Sequence, residues 1–297
     1  MDRLLAMRNF VAVIDSGSIS AAAQRLGVGQ PALSKSLAAL EAYLGVKLLV
    51  RTTRGSSLTD AGRTFLSHAR VTLDEAEAAE AAARDAATTL RGPLRVAAPP
   101  VYASEVILPR LAEFRALHPE VTIDLVLDDR QVDLIGEGID LALRGGALSD
   151  STIVARRIDT GARIVVASAA YLASKTLPTH PRDLLAHDWI DYSAWSGRAW
   201  DFKKGQATES IRFMPKLTIS AAESLRVSVL NGLGCAIVSE RMVQNELSSP
   251  ELVRLLSDWA LPKGEFWLCS PAGRRMNARA RAFSEWLETI IAELPSV

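Results

Sequence analysis

Cysteine, histidine and long apolar runs are scarce in this chain, and each scarcity removes a class of function. Cys235 and Cys269 are the only two cysteines in 297 residues. Both sit in apolar stretches, "GLGCAIVS" and "EFWLCSP", with no basic neighbour in sequence to lower a thiol pKa, so they read as buried structural residues rather than a redox pair. The four histidines are scattered: His68 in a helix-forming segment, His118 and His180 each before a proline, and His187 in "HPRDLLAHDW". His180 and His187 with Asp183 and Asp188 have the residue types of a metal site, yet the stretch reads more simply as a short polar-faced helix. No H-E-x-x-H, G-x-S-x-G, P-loop or G-x-G-x-x-G cradle occurs, so neither enzyme chemistry nor a metal or cofactor is expected. No apolar run reaches the roughly 18–20 residues of a membrane span. The N-terminal "MDRLLAMRNFVAVIDSGS" carries Asp2 and Asp15 and lacks a small-residue cleavage site, so the expectation is a cytoplasmic protein with no membrane partner.

Net charge is absent too, but its distribution is uneven. Residues 1–58 hold seven basic against three acidic side chains, whereas residues 59–90 hold three against six. A positive N-terminal segment is the electrostatic footprint that a phosphate backbone requires. The length suits two compact units and a connector.

The positive segment contains "AAAQRLGVGQPALSKSLAALEAYLG", residues 21–45, a helix-forming run broken once. Ser18 or Ser20 can cap the helix Ala21–Leu26, Gly27 suits its left-handed C-terminal cap, and Pro31 suits the first turn of the next helix. That helix runs to about Leu44 and turns Leu33, Leu37, Leu40 and Leu44 inward. The following "KLLVRTTRGSSLT" reads as a strand pair about Gly55 with a basic tip. A short helix, a tight turn, a projecting helix and a basic hairpin together make a winged helix-turn-helix, whose second helix enters the DNA major groove. Gln30 can read adenine, Ser34 and Lys35 reach bases or phosphates, and Arg51 and Arg54 suit phosphates or an adjacent minor groove. Ser20 and Pro31 complete the expected DNA-binding set.

From Asp60 to Leu90 there is no proline and no glycine after Gly62. Leu66, Ala69, Leu73, Ala76, Glu80, Ala83, Ala87 and Leu90 follow heptad spacing, which predicts a long helix that pairs with its own copy. Beyond "RGP", strand-like runs ("LRVAA", "VTIDLVL", "DLALRGG", "ARIVVAS", "LTIS", "CAIVS") alternate with amphipathic helices, the pattern of an α/β fold with a largely parallel sheet.

Residues 10–62 resemble the N-terminal domain of LysR-type transcriptional regulators along its full length. The matching elements are Phe10, Ser16-Gly17-Ser18, Ala22-Ala23, Leu26, Gln30-Pro31-Ala32-Leu33-Ser34, Leu40-Glu41, Leu44-Gly45, Leu48, Arg51 and Leu58-Thr59-Ala61-Gly62. "ILPRLAEF", "LHPEVTIDL", "DLIGEGIDLALR" and "NGLGCAIVS" resemble the family's effector domain more weakly. Gly29 departs from the pattern, since the family usually has serine before the glutamine; altered site preference is expected rather than lost DNA binding.

The resemblance implies domains at 1–59 (winged helix), 60–91 (linker and dimerisation helix) and 92–297 (effector binding). The last would be a periplasmic-binding-protein-like α/β unit with lobe I at about 92–161 and 267–297 and lobe II at about 162–266. It further implies double-stranded DNA as partner at an interrupted palindrome, a homodimer through the linker helix, a homotetramer, access to RNA polymerase, and a small-molecule effector between the lobes. Candidate effector contacts are Pro100, Tyr102, Ser104, Arg130, Arg144, Ser193 and Ser220. Arg144 could pair a carboxylate and Ser220 opens a helix N-terminus, which together suit an organic acid. Ser220 is equally suited to capping that helix, and Arg144 to pairing with Asp140 or Asp133. Tyr102, Trp195 and Trp200 suit an aromatic ring, although tryptophan is more often core. A solute-binding protein with a degenerate DNA-binding domain is the alternative, as is a molybdate-type regulator with its smaller ligand domain. Heparin separates these readings: fragment 1–90 should be retained and fragment 91–297 should not, whereas equal elution would remove the charge argument.

Overall fold

Side-chain caps start the first two helices of the computed structural model, which describes residues 1–52, 55–83, 90–146, 148, 153–249, 251–272 and 276–294. Asp2 accepts from the Leu5 amide at 3.0 Å ahead of α1 (Arg3–Asp15), and Ser18 accepts from the Ala21 amide at 3.2 Å ahead of α2 (Ile19–Leu26). Ser18 is therefore the cap, and Ser20 lies exposed inside the helix. Gly27 ends α2 with φ 65°, a conformation that costs other residues a Cβ clash. Gly29 then starts α3 (Gln30–Leu44) with no side-chain cap. Phe10, Val13, Ala22, Leu33, Leu37 and Leu40 close over Leu48 to form the core of this unit.

The wing is β1 (Leu49–Thr52) and β2 (Gly55–Leu58), paired antiparallel from Leu49↔Leu58 to Thr52↔Gly55. One carboxylate ties it to α3. Glu41 accepts from the Leu48 and Leu49 amides at 2.9 and 3.2 Å and from the Lys47 ammonium at 2.6 Å. Burial alone would raise its pKa, but Lys47 and the two amides outweigh burial and hold it below the ordinary value near 4.5. On the other side, the Thr59 hydroxyl donates to the Lys47 carbonyl at 2.7 Å and accepts from the Gly62 amide at 2.9 Å. A Cβ on Gly62 would stand 2.0 Å from the Leu48 carbonyl oxygen, so this turn admits only glycine.

That turn launches α4 (Asp60–Ala83). Leu66, Ala69 and Leu73 of the expected seam are buried within the chain, Leu66 in the winged-helix core. Arg70 pairs with Asp15 of α1 at 2.6 Å and lies against the backbone of Gly138 in the next domain. The first half of the heptad pattern thus serves intrachain packing, which the spacing alone did not reveal. Ala76 is half-buried and Glu80 exposed, while the side chain of Ala83 and residues 84–89 lie outside the described residues.

In the second domain, β3 (Arg91–Ala98) leads into α5 (Pro100–Tyr102), a π-helical turn Ala103–Ile107, α6 (Leu111–Leu117), β4 (Glu120–Leu127) and β5 (Leu141–Gly145). The chain crosses to the second lobe on β6 (Ile153–Gly161). There it forms β7 (Arg163–Ser168), α7 (Ala169–Leu172), β8 (Ile190–Tyr192), the hairpin β9 (Ala199–Lys204) and β10 (Ala207–Arg212), and β11 (Leu217–Ile219). It continues through α8 (Ala222–Leu230), β12 (Ala236–Ser239), α9 (Gln244–Ser248) and β13 (Leu252–Leu255), then returns on β14 (Gly264–Pro271) to α10 (Ala278–Ala292). The return strand starts at Gly264, a little before the expected 267.

The lobe I sheet has the order β4-β3-β5-β14-β6, and the main lobe II sheet the order β12-β7-β13. The expected largely parallel sheet is corrected to a mixed one. β3 runs parallel to β4 and β5, but β14 is antiparallel to β5 and β6, and β7 is antiparallel to both its neighbours. A chain that leaves a lobe and comes back along the strand it left on must reverse direction. Leu94, Val96, Phe114, Leu141, Phe283 and Leu287 form one core, and Val165, Trp200, Phe202 and Cys235 contribute to the other.

Glu41 gives a pH-dependent prediction. Its pKa is depressed on folding, so its contribution is full above about pH 4.5 and fades as pH falls through the lower folded value. Glu41→Gln should cost about 1–2 kcal/mol at pH 7, because it replaces charge-assisted hydrogen bonds. Calorimetry should show the gap to wild type shrinking as the pH is lowered toward 3, whereas a gap independent of pH would mean that the carboxylate charge is not involved.

Candidate functional site

Two sites stand out, one on each side of α4. On the first, the Gly27-Val28-Gly29 break turns α3 away from α2 and leaves its N-terminal end in solvent. Gln30, Pro31 and Lys35 are exposed and Ser34 is half-buried. Leu33, Leu37 and Leu40 anchor the opposite face of the helix. A helix held by one face with its first turn projecting is the geometry that enters a major groove. Arg51 lies on β1, its side chain outside the described residues, and Arg54 lies wholly outside them.

The second site is a cleft between the lobes with a cavity of about 150 Å³. Its lobe I wall carries Tyr102, Glu105, Asp129 and Phe266; its lobe II wall carries Tyr192, Trp195, Ser239 and Arg241. Tyr102 and Phe266 pack in a tilted pair with 4.5 Å between ring centroids. Two polar bridges cross it. The Tyr102 hydroxyl donates to Asp159 at 2.8 Å, and the same carboxylate oxygen lies 3.3 Å from the Arg241 guanidinium of lobe II. Burial, with Asp159 as the accepting neighbour, keeps the Tyr102 phenol far above its ordinary range, so it stays a donor. At the other end, Asp129 of lobe I accepts from the Ala222 amide at the start of α8 at 2.8 Å, and burial together with the nearby Asp129 charge raises the Tyr192 phenol above its ordinary range. Arg163 donates to the carbonyls of Pro262 and Lys263 at 3.0 and 3.1 Å and lies over the rings of Trp195 and Trp200. Burial and the nearby Arg198 push it down to about 10, so it is still charged at neutral pH.

Residues 4–63 match the model for "Bacterial regulatory helix-turn-helix protein, lysR family", and residues 87–290 match "LysR substrate binding domain". This chain belongs to the LysR-type transcriptional regulators. It is 34% identical over 287 residues to the HTH-type transcriptional regulator PtxR of Pseudomonas aeruginosa, covering 96% of this chain and 92% of that one. It is similar to CrgA of Neisseria meningitidis, whose solved structure aligns with a TM-score of 0.62 at 30% identity over 96% of this chain and 98% of that one. Full-length AphB, the Vibrio cholerae virulence activator, shares the fold with a TM-score of 0.59 at 24% identity over 96% of this chain and 98% of that one.

Within this LysR-type regulator the expected effector contacts divide sharply. Tyr102 lines the cleft, whereas Pro100 and Ser193 stand one residue away from lining positions and do not line it themselves. Ser104 is exposed outside it. Arg130 points to solvent and is held by its neighbour Asp128 at 2.8 Å. Arg144 is buried on the opposite face of β5 and donates to the Val132 carbonyl at 2.7 Å, because the residue that faces the cleft from that strand end is Gly145. Ser220 is exposed and is not the cap of α8, which starts from Ala221. Of the seven expected contacts, Tyr102 alone is among the residues that line this cavity. Asp129, Tyr192, Arg163, Arg241 and Phe266 escaped notice because their convergence is entirely tertiary. Trp195 lines the cleft and Trp200 is core.

His180 and Asp183 form the capping box of a 3-10 helix, Pro181–Ala186, as the bland reading of that stretch expected. Both cysteines are fully buried. Burial beside Asp188 pushes the Cys235 thiol up to about 12. A disulfide-exchange reagent should therefore label neither thiol in the folded protein and both after denaturation. Rapid labelling of Cys235 at neutral pH in the native state would contradict this environment.

Proposed function

We propose that this regulator reads DNA with the N-terminal turn of α3 and responds to a small molecule held between its two α/β lobes. The exposure of Gln30 and Lys35 on a helix held by its opposite face carries the DNA half of this reading. Gln30 pairs an adenine edge, Ser34 and Lys35 reach bases or phosphates, Ser20 and Pro31 lie against the backbone, and Arg51 and Arg54 of the wing take flanking phosphates. Two copies joined through the later part of α4 present two such helices to adjacent major grooves, which calls for an interrupted palindrome. Pairs of dimers would then form the tetramer and set access for RNA polymerase in the cytoplasm.

An effector acts here only to the extent that it prefers one arrangement of the lobes. The two bridges supply the alternatives, since each joins lobe I to lobe II through a single carboxylate. An organic acid, which Arg144 and Ser220 suggested, has lost its motive: neither residue lines the cleft. Relatives include a named transcriptional repressor of Pseudomonas aeruginosa and regulators of unspecified sign, so the direction of control is to be measured promoter by promoter.

Selection of sheared genomic DNA by the full-length protein at roughly physiological salt tests the reading. A small set of interrupted palindromes should be enriched, and Lys35→Ala should weaken binding across all of them and lower the salt slope by about 1. Gly29→Ser should bind more tightly, because a Cβ there meets only Pro31 at 3.8 Å and a serine can cap α3. Its thermal stability should rise by only a few tenths of a kcal/mol. Enrichment without any palindrome, or none with a folded oligomer in either variant, would sink the α3 assignment.

A further inference from the structure

Resting on the reading of the cleft as the effector site, we infer that its ligand is a flat, uncharged aromatic molecule rather than an anion. The charges an anion would answer are largely compensated by the protein itself. The N-terminus of α8, whose amides would favour negative charge, is capped by the Asp129 carboxylate through the Ala222 amide at 2.8 Å. Among the lining residues the cations are Arg163 and Arg241. Arg241 is charge-paired with Asp159 at 3.3 Å although its Nη1 makes no hydrogen bond, and Arg163 donates through Nη1 to two backbone carbonyls and lies over two indole faces. The remaining lining charges are acidic: Glu105, Asp129 and Glu265, the last paired with Arg157 at 2.9 Å. An entering carboxylate would meet Asp129 as a like charge and would have to evict it.

The shape of the cleft points the same way. Three glycines from three strands make one wall: Gly161 and Gly264 are a cross-strand pair, and Gly145 stands opposite Phe266. Added Cβ atoms would meet the Phe266 ring at 3.5 Å from Gly145 and at 3.8 Å from Gly161, and the Arg163 guanidinium at 3.5 Å from Gly264. The absence of side chains there leaves a slot bounded by flat groups, with Tyr102 and Trp195 presenting further ring surface. Rings pack against such surfaces with little entropy cost, and the Tyr192 and Ser239 hydroxyls supply neutral hydrogen-bonding groups.

Benzamide and benzoate, nearly identical in shape and different in charge, test this on the full-length protein by saturation-transfer NMR and calorimetric thermal shift. Benzamide should bind wild type at least tenfold more tightly than benzoate. Asp129→Ala, which vacates the α8 terminus, should raise benzoate affinity tenfold or more and leave benzamide within threefold. Gly161→Val should abolish benzamide binding, and Gly161→Ala, whose carbon meets Ser239 Oγ at 3.7 Å in ordinary contact, should weaken it while keeping the fold. Benzoate binding wild type as well as benzamide, with both lost in Gly161→Val, would overturn the ligand class and leave the cleft as the effector site. Neither probe binding, or binding indifferent to Gly161→Val, would overturn both.

Discussion

Two paired strands join the lobes of this protein's effector-binding domain. β6 and β14 pair from Ile153↔Pro271 to Gly161↔Gly264, with an irregularity between Phe266 and Trp267, and they are the chain's two crossings between the lobes. Any change in the angle between lobes must be absorbed where this ribbon leaves the lobe I sheet. Glycines stand at that point, where the wall of the cleft also needs to be bare. The same residues therefore shape the pocket and lie on the ribbon that joins the lobes.

The bridges across the cleft complete the device. Asp159 and Asp129 each take hydrogen bonds or ion pairs from the opposite lobe, and both are partly shielded from water, where such contacts gain strength. Asp129 takes the place at the α8 terminus that an anion would otherwise hold. A ligand would compete for space and ring surface rather than for charge.

At the other end of the molecule, α4 couples rather than separates. Its first turns belong to the winged-helix core through Leu66, and Arg70 joins Asp15 of α1 to the Gly138 turn of lobe I. Lobe I and the base of the winged-helix unit are thus in contact through packed side chains and one ion pair. Glu41 and Thr59 then hold the wing to α3 and α4, so the reading helix and wing move as one body.

The winged helix was legible in the sequence because it is built from local signals: Ser18, Gly27, Pro31 and the leucine spacing of α3 each act within a turn of their own position. The α/β alternation and the near-complete match to the LysR pattern were legible for the same reason. Sheet direction, the use of Leu66, Ala69 and Leu73 inside the chain, and the placement of Arg144 away from the cleft were not. Each depends on which face a strand or helix presents after residues far apart in sequence have met, and a shift of one position along a strand reverses that face. The sequence by itself determined the winged-helix elements, their order and the alternation of strands and helices that follows. Only the tertiary structure decided what the cleft can hold, because Asp129, Arg163, Arg241 and the three glycines acquire their roles from neighbours distant in the chain, as in the pairing of Gly161 with Gly264, Gly145 with Phe266 and Asp129 with Ala222.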